Sequence, residues 1–209
     1  MVLDTGSKLL MEGVSVQIAE TGESTMTNMN GEFMLETSYG SHTLHFAKAG
    51  YTFFDVPVVV PANDSVYVDE IVPGYGPLSS NQYRIILTWE ERPGDLEAKL
   101  RLPNLDTIDH GNKTTDDESA NLEWDNKHSY ATTITTQNPG TYCYSVANYS
   151  YTRFRSTPSA EVRVYNHAGL WKTYNILWAS GDISQPYWRV FSLNGSTITE
   201  LNTIAATAW

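Results

Sequence analysis

Residues 83–103, YRIILTWEERPGDLEAKLRLP, constrain the fold more than any other stretch. They open with Ile85, Ile86, Leu87, Thr88 and Trp89, a short run dense in β-branched and aromatic side chains. A run this short, bounded by turn residues, reads as a buried strand. Arg92, Pro93, Gly94 and Asp95 then signal a turn, because proline presets φ and glycine tolerates positive φ. Beyond it Leu96, Ala98, Leu100 and Leu102 alternate with Glu97, Lys99 and Arg101. A period of two puts the first set on one face and the second on the other. The stretch predicts strand, turn and strand, with one buried face.

The same patterning fills the chain. Val14–Ile18 alternates, Asn30-Gly31 is a strong hairpin signal, and strands are expected at 32–36, 42–48, 51–60 and 65–72. Further strands are expected at 121–125, 130–136, 141–149, 160–166, 171–178, 187–193 and 197–204. No segment has a helical apolar period longer than two turns. Prolines and glycines at 73–80 forbid continuous sheet and mark a linker. The expectation is an all-β chain of two tandem β-sandwich domains of Greek-key type. They span residues 1–74 and 82–209 and are joined by a linker at 75–81.

Composition narrows the function. The net charge of −11 and the lack of a basic patch argue against nucleic acid as a partner. Low charge content, 18%, with abundant Thr, Ser, Tyr and Asn, suits a secreted β protein. No apolar run reaches the length of a membrane-spanning helix, so membrane insertion is not expected. The first ten residues lack the basic start and apolar core of a secretory leader, so a secreted protein would be seen here as a mature chain or a fragment. Cys143 is the single cysteine, which excludes an internal disulfide and a Cys/His zinc site.

Two stretches resemble known families. GVSVQI, NGEF and YGSHTLHFAKAGY, with Gly13, Asn30, Gly31, Phe33, Gly40, Leu44, Gly50 and Tyr51 in matching places, resemble the carboxypeptidase regulatory-like or Cna B-type module. The resemblance implies a β-sandwich that serves as a spacer or stalk in surface proteins. Some Cna B-type modules carry a Lys–Asn isopeptide bond, but only Lys8 and Lys48 are on offer, and neither sits at a first-strand core position. The series LTW, DLEAKL, LEWD, GTYCYSVANYS, VRVY and YWRVFSLNG resembles a bacterial domain of unknown function found in YfaP-like surface proteins. That resemblance implies a fold and no chemistry. Glu97 and Lys99 stand where this domain usually has an Asp and a His.

Candidate sites follow from residue chemistry. Asp95, Glu97, Glu123 and Asp125 are the acids that would converge on a calcium ion if any do, against the plainer reading of solvated strand faces. Asp116, Asp117 and Glu118 read as a loop tip. Tyr142, Tyr144 and Val146 facing a core would turn Cys143 outward, with no base in the local pattern to activate it. His42 and His45 fall on opposite faces of one strand. No motif of a hydrolase, metalloprotease or nucleotide-binding loop is present. The chain is therefore read as non-enzymatic and without a cofactor. Late aromatics, Trp171, Trp178, Tyr187, Trp188 and Trp209, offer a sugar-stacking platform or core filling.

Four sequons, at Asn63, Asn112, Asn148 and Asn194, lie at turns or a strand end and predict glycan attachment wherever the source glycosylates. Only residues 1–4 precede the first turn, so the first module has a truncated edge strand. At the other end residues 197–204 alternate like a strand and run on into 205–209. These features predict head-to-tail self-assembly by strand exchange, with Val2, Leu3, Ile198, Leu201, Ile204 and Trp209 filling pockets. The function expected is a structural subunit of an extracellular fibre or surface appendage. A carbohydrate-binding or adhesive module comes second, and a hydrolase with a loop-built site third.

Overall fold

The structure is a computed structural model that describes residues 1–62, 72–89, 95–126, 129–135, 137–150, 154 and 160–209. The turn expected at 92–94, most of the strand expected at 65–72 and the Asn63 sequon lie outside the described residues. The protein is all-β, with no α-helix among the described residues. It divides into two compact units, Met1–Pro77 and Leu78–Trp209.

In unit 1, β2 (Ser15–Ile18), β3 (Ser24–Met26), β4 (Gly40–Ala47) and β5 (Val56–Val60) form a sheet ordered β3-β2-β4-β5. β1 (Val2–Asp4) and β6 (Val72–Gly74) pair in parallel as a second, two-stranded layer. Val2, Met11, Val14, Val16, Ile18, Leu44, Phe46 and Val72 make the core between them, with Phe33, Leu35, Tyr51 and Phe53 packed against it. Buried Thr27 ties this core together. Its hydroxyl donates to the Met11 carbonyl at 2.6 Å and accepts the Val14 N–H at 2.9 Å.

Residues 32–36 depart from the strand expected there. Phe33 and Leu35 turn toward the core while Met34 is exposed, so the side-chain alternation is present. The backbone joins no ladder, because the Asn28 side chain takes the N–H groups of Asn30 and Glu32 and closes a local turn. Gly31, at φ +64°, is needed for a second reason: a Cβ there would meet the Val2 carbonyl oxygen at 2.5 Å. Tyr75, expected in the linker, belongs to unit 1: its backbone bridges Thr52 and its ring is buried.

Unit 2 is a sandwich of two sheets. One contains β7 (Tyr83–Thr88), β10 (Ala120–Asn126), β11 (Ser129–Ile134), β13 (Glu161–Asn166) and β14 (Gly169–Asn175), ordered β10-β11-β7-β13-β14. The other contains β8 (Leu96–Arg101), β9 (Thr107–Ile108), β12 (Thr141–Asn148), β15 (Ser180–Gly181), β16 (Tyr187–Asn194) and β17 (Thr197–Ala205), ordered β15-β17-β16-β12-β8-β9. Sequence neighbours repeatedly change sheets: β7 lies between β11 and β13, and β12 between β16 and β8.

The central strand β7 is buried on both faces, which is why its sequence is a continuous apolar run rather than an alternation. Tyr83, Ile85 and Leu87 enter the core, and Arg84 and Ile86 are buried on the far face. Arg84 is neutralised there by Glu123, with Nε to carboxylate 2.7 Å and a second contact at 3.1 Å, and Thr133 also donates to that carboxylate. β8 alternates as expected: Leu96, Ala98 and Leu100 are in the core, and Glu97, Lys99 and Arg101 face the other way. Stacked rings of Tyr144, Phe191 and Tyr174, and fully buried Trp188, fill the middle. The aromatic stretch expected as a strand at 171–178 breaks after Asn175. The Asn175 side chain caps a short 3-10 turn, Ile176–Trp178, by accepting the Leu177 N–H.

Candidate functional site

The β8–β9 side of unit 2 brings together three of the charged side chains that sequence reading singled out, Glu97, Lys99 and Asp125. Glu97 and Lys99, two apart on β8, share one face. Lys99 lies between two carboxylates, with Nζ 3.0 Å from Glu97 and 3.0 Å from Asp109, and the Tyr149 ring 5.8 Å from Nζ. Asp109 is held by its own loop, accepting the N–H groups of Gly111 and Asn112. Beside it Asp125 accepts from Lys113 at 2.7 Å and contacts His110 at 3.0 Å.

Burial alone would raise the Asp109 carboxyl and lower the Lys99 ammonium. The contact between them outweighs this, so Asp109 sits below the usual carboxylate range and Lys99 above the usual lysine range. For Asp125, burial again pulls upward, and Lys113 and His110 overcome it to leave a lowered value. The Tyr130 hydroxyl is pushed up, first by burial and then by the charges of Asp125, Glu97 and Asp95.

These contacts sort the four calcium candidates. Asp95, Glu97 and Asp125 act electrostatically on one point, the Tyr130 hydroxyl. Glu123 is elsewhere, buried against Arg84 on the far face of the other sheet. A β-bulge between Leu122 and Trp124 re-aims the strand at this position, and strand alternation alone does not reveal it. Lys99 and Lys113 already occupy the Glu97, Asp109 and Asp125 carboxylates. Among the described residues no group of three or more His, Cys, Asp or Glu side chains is placed to hold a metal ion.

The remaining candidates are dispersed. Cys143 is half-buried on β12, its neighbours Tyr142, Tyr144 and Val146 being in the core. His42 is buried with Nε2 2.8 Å from the Ser38 carbonyl, and His45, on the opposite face, meets Asp55. Asp116, Asp117 and Glu118 are exposed, and Asp117 caps the Ser119 N–H at 3.0 Å. Asn112 and Asn194 are exposed; Asn148 is half-buried, its side-chain oxygen accepting both the N–H and the hydroxyl of Ser150. Trp188 is core, Trp171 and Tyr187 are half-buried, and Trp178 is 67% exposed beside exposed Leu177.

The six residues expected to drive assembly are held in different ways. Val2 is a core residue of unit 1, and Leu3 bridges Leu10. Ile204 is in the core of unit 2, Ile198 packs against that core, and Leu201 is exposed. Past Ala205 the chain turns onto the outward face of its own sheet. Arg189 of β16 donates from Nε to the Thr207 carbonyl at 2.9 Å and from its fork to the Thr207 hydroxyl. The Arg101 guanidinium of β8 lies 5.7 Å from the centre of the Trp209 ring. Sequence reading missed both arginines as a clamp. Their outward strand positions were legible, but nothing local says that residues 207 and 209 come back to meet them.

With this geometry in hand, comparison with known proteins adds one finding. Residues 1–71 match the family model of the CarboxypepD_reg-like domain. The match covers β1 to β5 and every core residue of unit 1 except Val72, and stops just before β6. No curated protein matches the chain. The matched residues lie in unit 1, and the clamp and the carboxylate–lysine cluster lie in unit 2.

Proposed function

We propose that this chain is a non-enzymatic structural subunit of an extracellular fibre or surface appendage, built head-to-tail by β-strand pairing. The observation that carries the reading is the outer edge of β17. β15 pairs with it only at Thr203 and Ile204, and along 197–202 no strand among the described residues lies on that side. An open edge offers backbone N–H and C=O groups to another strand. The CarboxypepD_reg-like module fits a surface protein, and the motif resemblance of unit 2 to YfaP-like bacterial domains points the same way. Three carboxylates, Glu97, Asp109 and Asp125, are paired in place with Lys99 and Lys113. Glycans at Asn112 and Asn194 would coat the exposed surface.

The test is imaging and sizing of the purified protein across a concentration series, with intact mass before and after deglycosylation. Filaments that lengthen with concentration support the reading. A monomer at every concentration overturns it.

A second reading has one observation behind it. Trp178, exposed beside Leu177 on the 3-10 turn after β14, offers one indole face of the kind on which a sugar ring stacks. A glycan array hit lost in Trp178→Ala would favour this adhesive role.

A further inference from the structure

The seat for residues 206–209 is a built one. It spans three neighbouring strands, with Arg189 on β16 at one side, Arg101 on β8 at the other and β12 between them. Each end recognises something different. Arg189 reads the carbonyl and hydroxyl of Thr207 together, a fork that fits two acceptors at once. Arg101 reads the face of an indole two residues later. The Thr207 hydroxyl in turn donates to the Trp209 carbonyl at 2.8 Å and so fixes the spacing between the two.

The middle of the seat is less well met. Ser145 of β12 pairs in register with Lys99 on one side and Arg189 on the other, so it faces outward with them. It is 0% exposed, and its hydroxyl has no hydrogen-bond partner. Outside the strand ladders, no backbone–backbone hydrogen bond among the described residues involves 206–209. The segment is therefore held by side chains alone, and it follows a β17 residue, Asn202, that already sits at φ +41° beside a bulge.

Resting on the head-to-tail reading above, and adding to the β17 edge a second contact made by side chains, we propose that residues 206–209 are an exchanged segment, and that their partner is the Arg101–Arg189 seat of a second copy. The seat's ligand is written in this chain: an acceptor pair followed two residues later by an indole. A second copy offers the same ligand with no new chemistry, so the contacts made in trans equal those made in cis. Which form is populated then depends on concentration and on the strain of the Ala205-Ala206 link. The first unit is the poorer donor. Val2 is 0% exposed in the unit 1 core, and its N–H and C=O are both bonded, to Gly31 and Met11. Withdrawing it would open that core. The contact made by 206–209 is head-to-tail, because donor and seat are different surfaces, and it propagates unless a ring closes.

The experiment uses two full-length variants. Thr207→Gly with Trp209→Ala removes the donor and keeps the seat. Arg101→Glu with Arg189→Glu removes the seat and keeps the donor. Tryptophan fluorescence and circular dichroism of each verify the fold, and the first variant changes only exposed side chains. Light scattering after size exclusion should give a monomer for each alone, and a species of twice the mass for the one-to-one mixture. Variants that assemble as the parent does overturn the exchange while leaving the fibre reading standing. So does a mixture that stays monomeric. A parent protein that is itself monomeric at every concentration overturns both.

Discussion

β1 and residues 206–209 are both short stretches, and both read as strand donors in the sequence, yet they are held by different physics. β1 is one layer of a core. Val2 is fully buried, its strand pairs with β6, and the Val2 N–H reaches Gly31 at 2.8 Å while the Asp4 N–H reaches Leu9 at 2.9 Å. Residues 206–209 lie on the outside of a finished sandwich, with Trp209 36% exposed and two arginines as the fastening. The first arrangement ties local position to the stability of a whole unit. The second contributes no residue to the core cluster of its unit, which is what an exchangeable segment requires.

The sharpest way to break this comparison is at Val2. Val2→Asp places a carboxylate in an apolar core, and a loss of about 4 kcal/mol or more is expected, enough to unfold most of unit 1. Far-ultraviolet circular dichroism on heating reads it. A variant that melts with the parent would show that β1 is as dispensable as residues 206–209. Next in size is Trp188→Phe. It removes the indole N–H that donates to Asn202 at 2.8 Å and leaves that buried acceptor without its donor, a cost of about 1–3 kcal/mol. All six tryptophans lie in unit 2, so tryptophan-detected urea unfolding follows that unit alone.

Smaller again is Arg189→Ala. The clamp is half-exposed, so unfolding of unit 2 should shift by about 1 kcal/mol or less while the environment of Trp209 changes. A shift as large as that of Trp188→Phe would mean that 206–209 are part of the unit's foundation.

The smallest expected effect is in acid and alkali. Asp109 and Asp125 are lowered by their cationic neighbours, so what they contribute is present above the ordinary carboxylate value and lost as pH falls through their lower folded values. Lys99 is raised, so its contribution is full below the ordinary lysine value and lost only as pH climbs past it toward the folded one. Unit 2 should therefore hold a flat stability between about pH 5 and 10, with a weak acid edge that Lys99→Met diminishes. An optimum confined to a single pH unit would contradict the pairing.

Much of the fold was legible because strand alternation survives burial on one face. β8 and β12 could be assigned residue by residue, core side and outer side. The segment 32–36 shows the limit. Its alternation is real, but only the hydrogen bonds of Asn28 decide that no ladder forms. The site was less legible for a related reason. A bulge in β10 takes Asp125 off the face that Glu123 shares with Arg84, and bulges leave little trace in an alternating pattern. Pairings between distant residues, Lys99 with Asp109 or Arg189 with Thr207, depend on which strands become neighbours, and periodicity carries no record of that.

Hydrogen exchange read by mass spectrometry, on the protein held dilute enough to be monomeric, tests the central contrast most directly. The amides of residues 2 and 4 should exchange only with the opening of unit 1 as a whole, and those of 206–209 at close to the rate of free peptide. Equal protection in the two segments, or slow exchange across 206–209 matching that of β17, would contradict a core-bound β1 and a detachable outer segment.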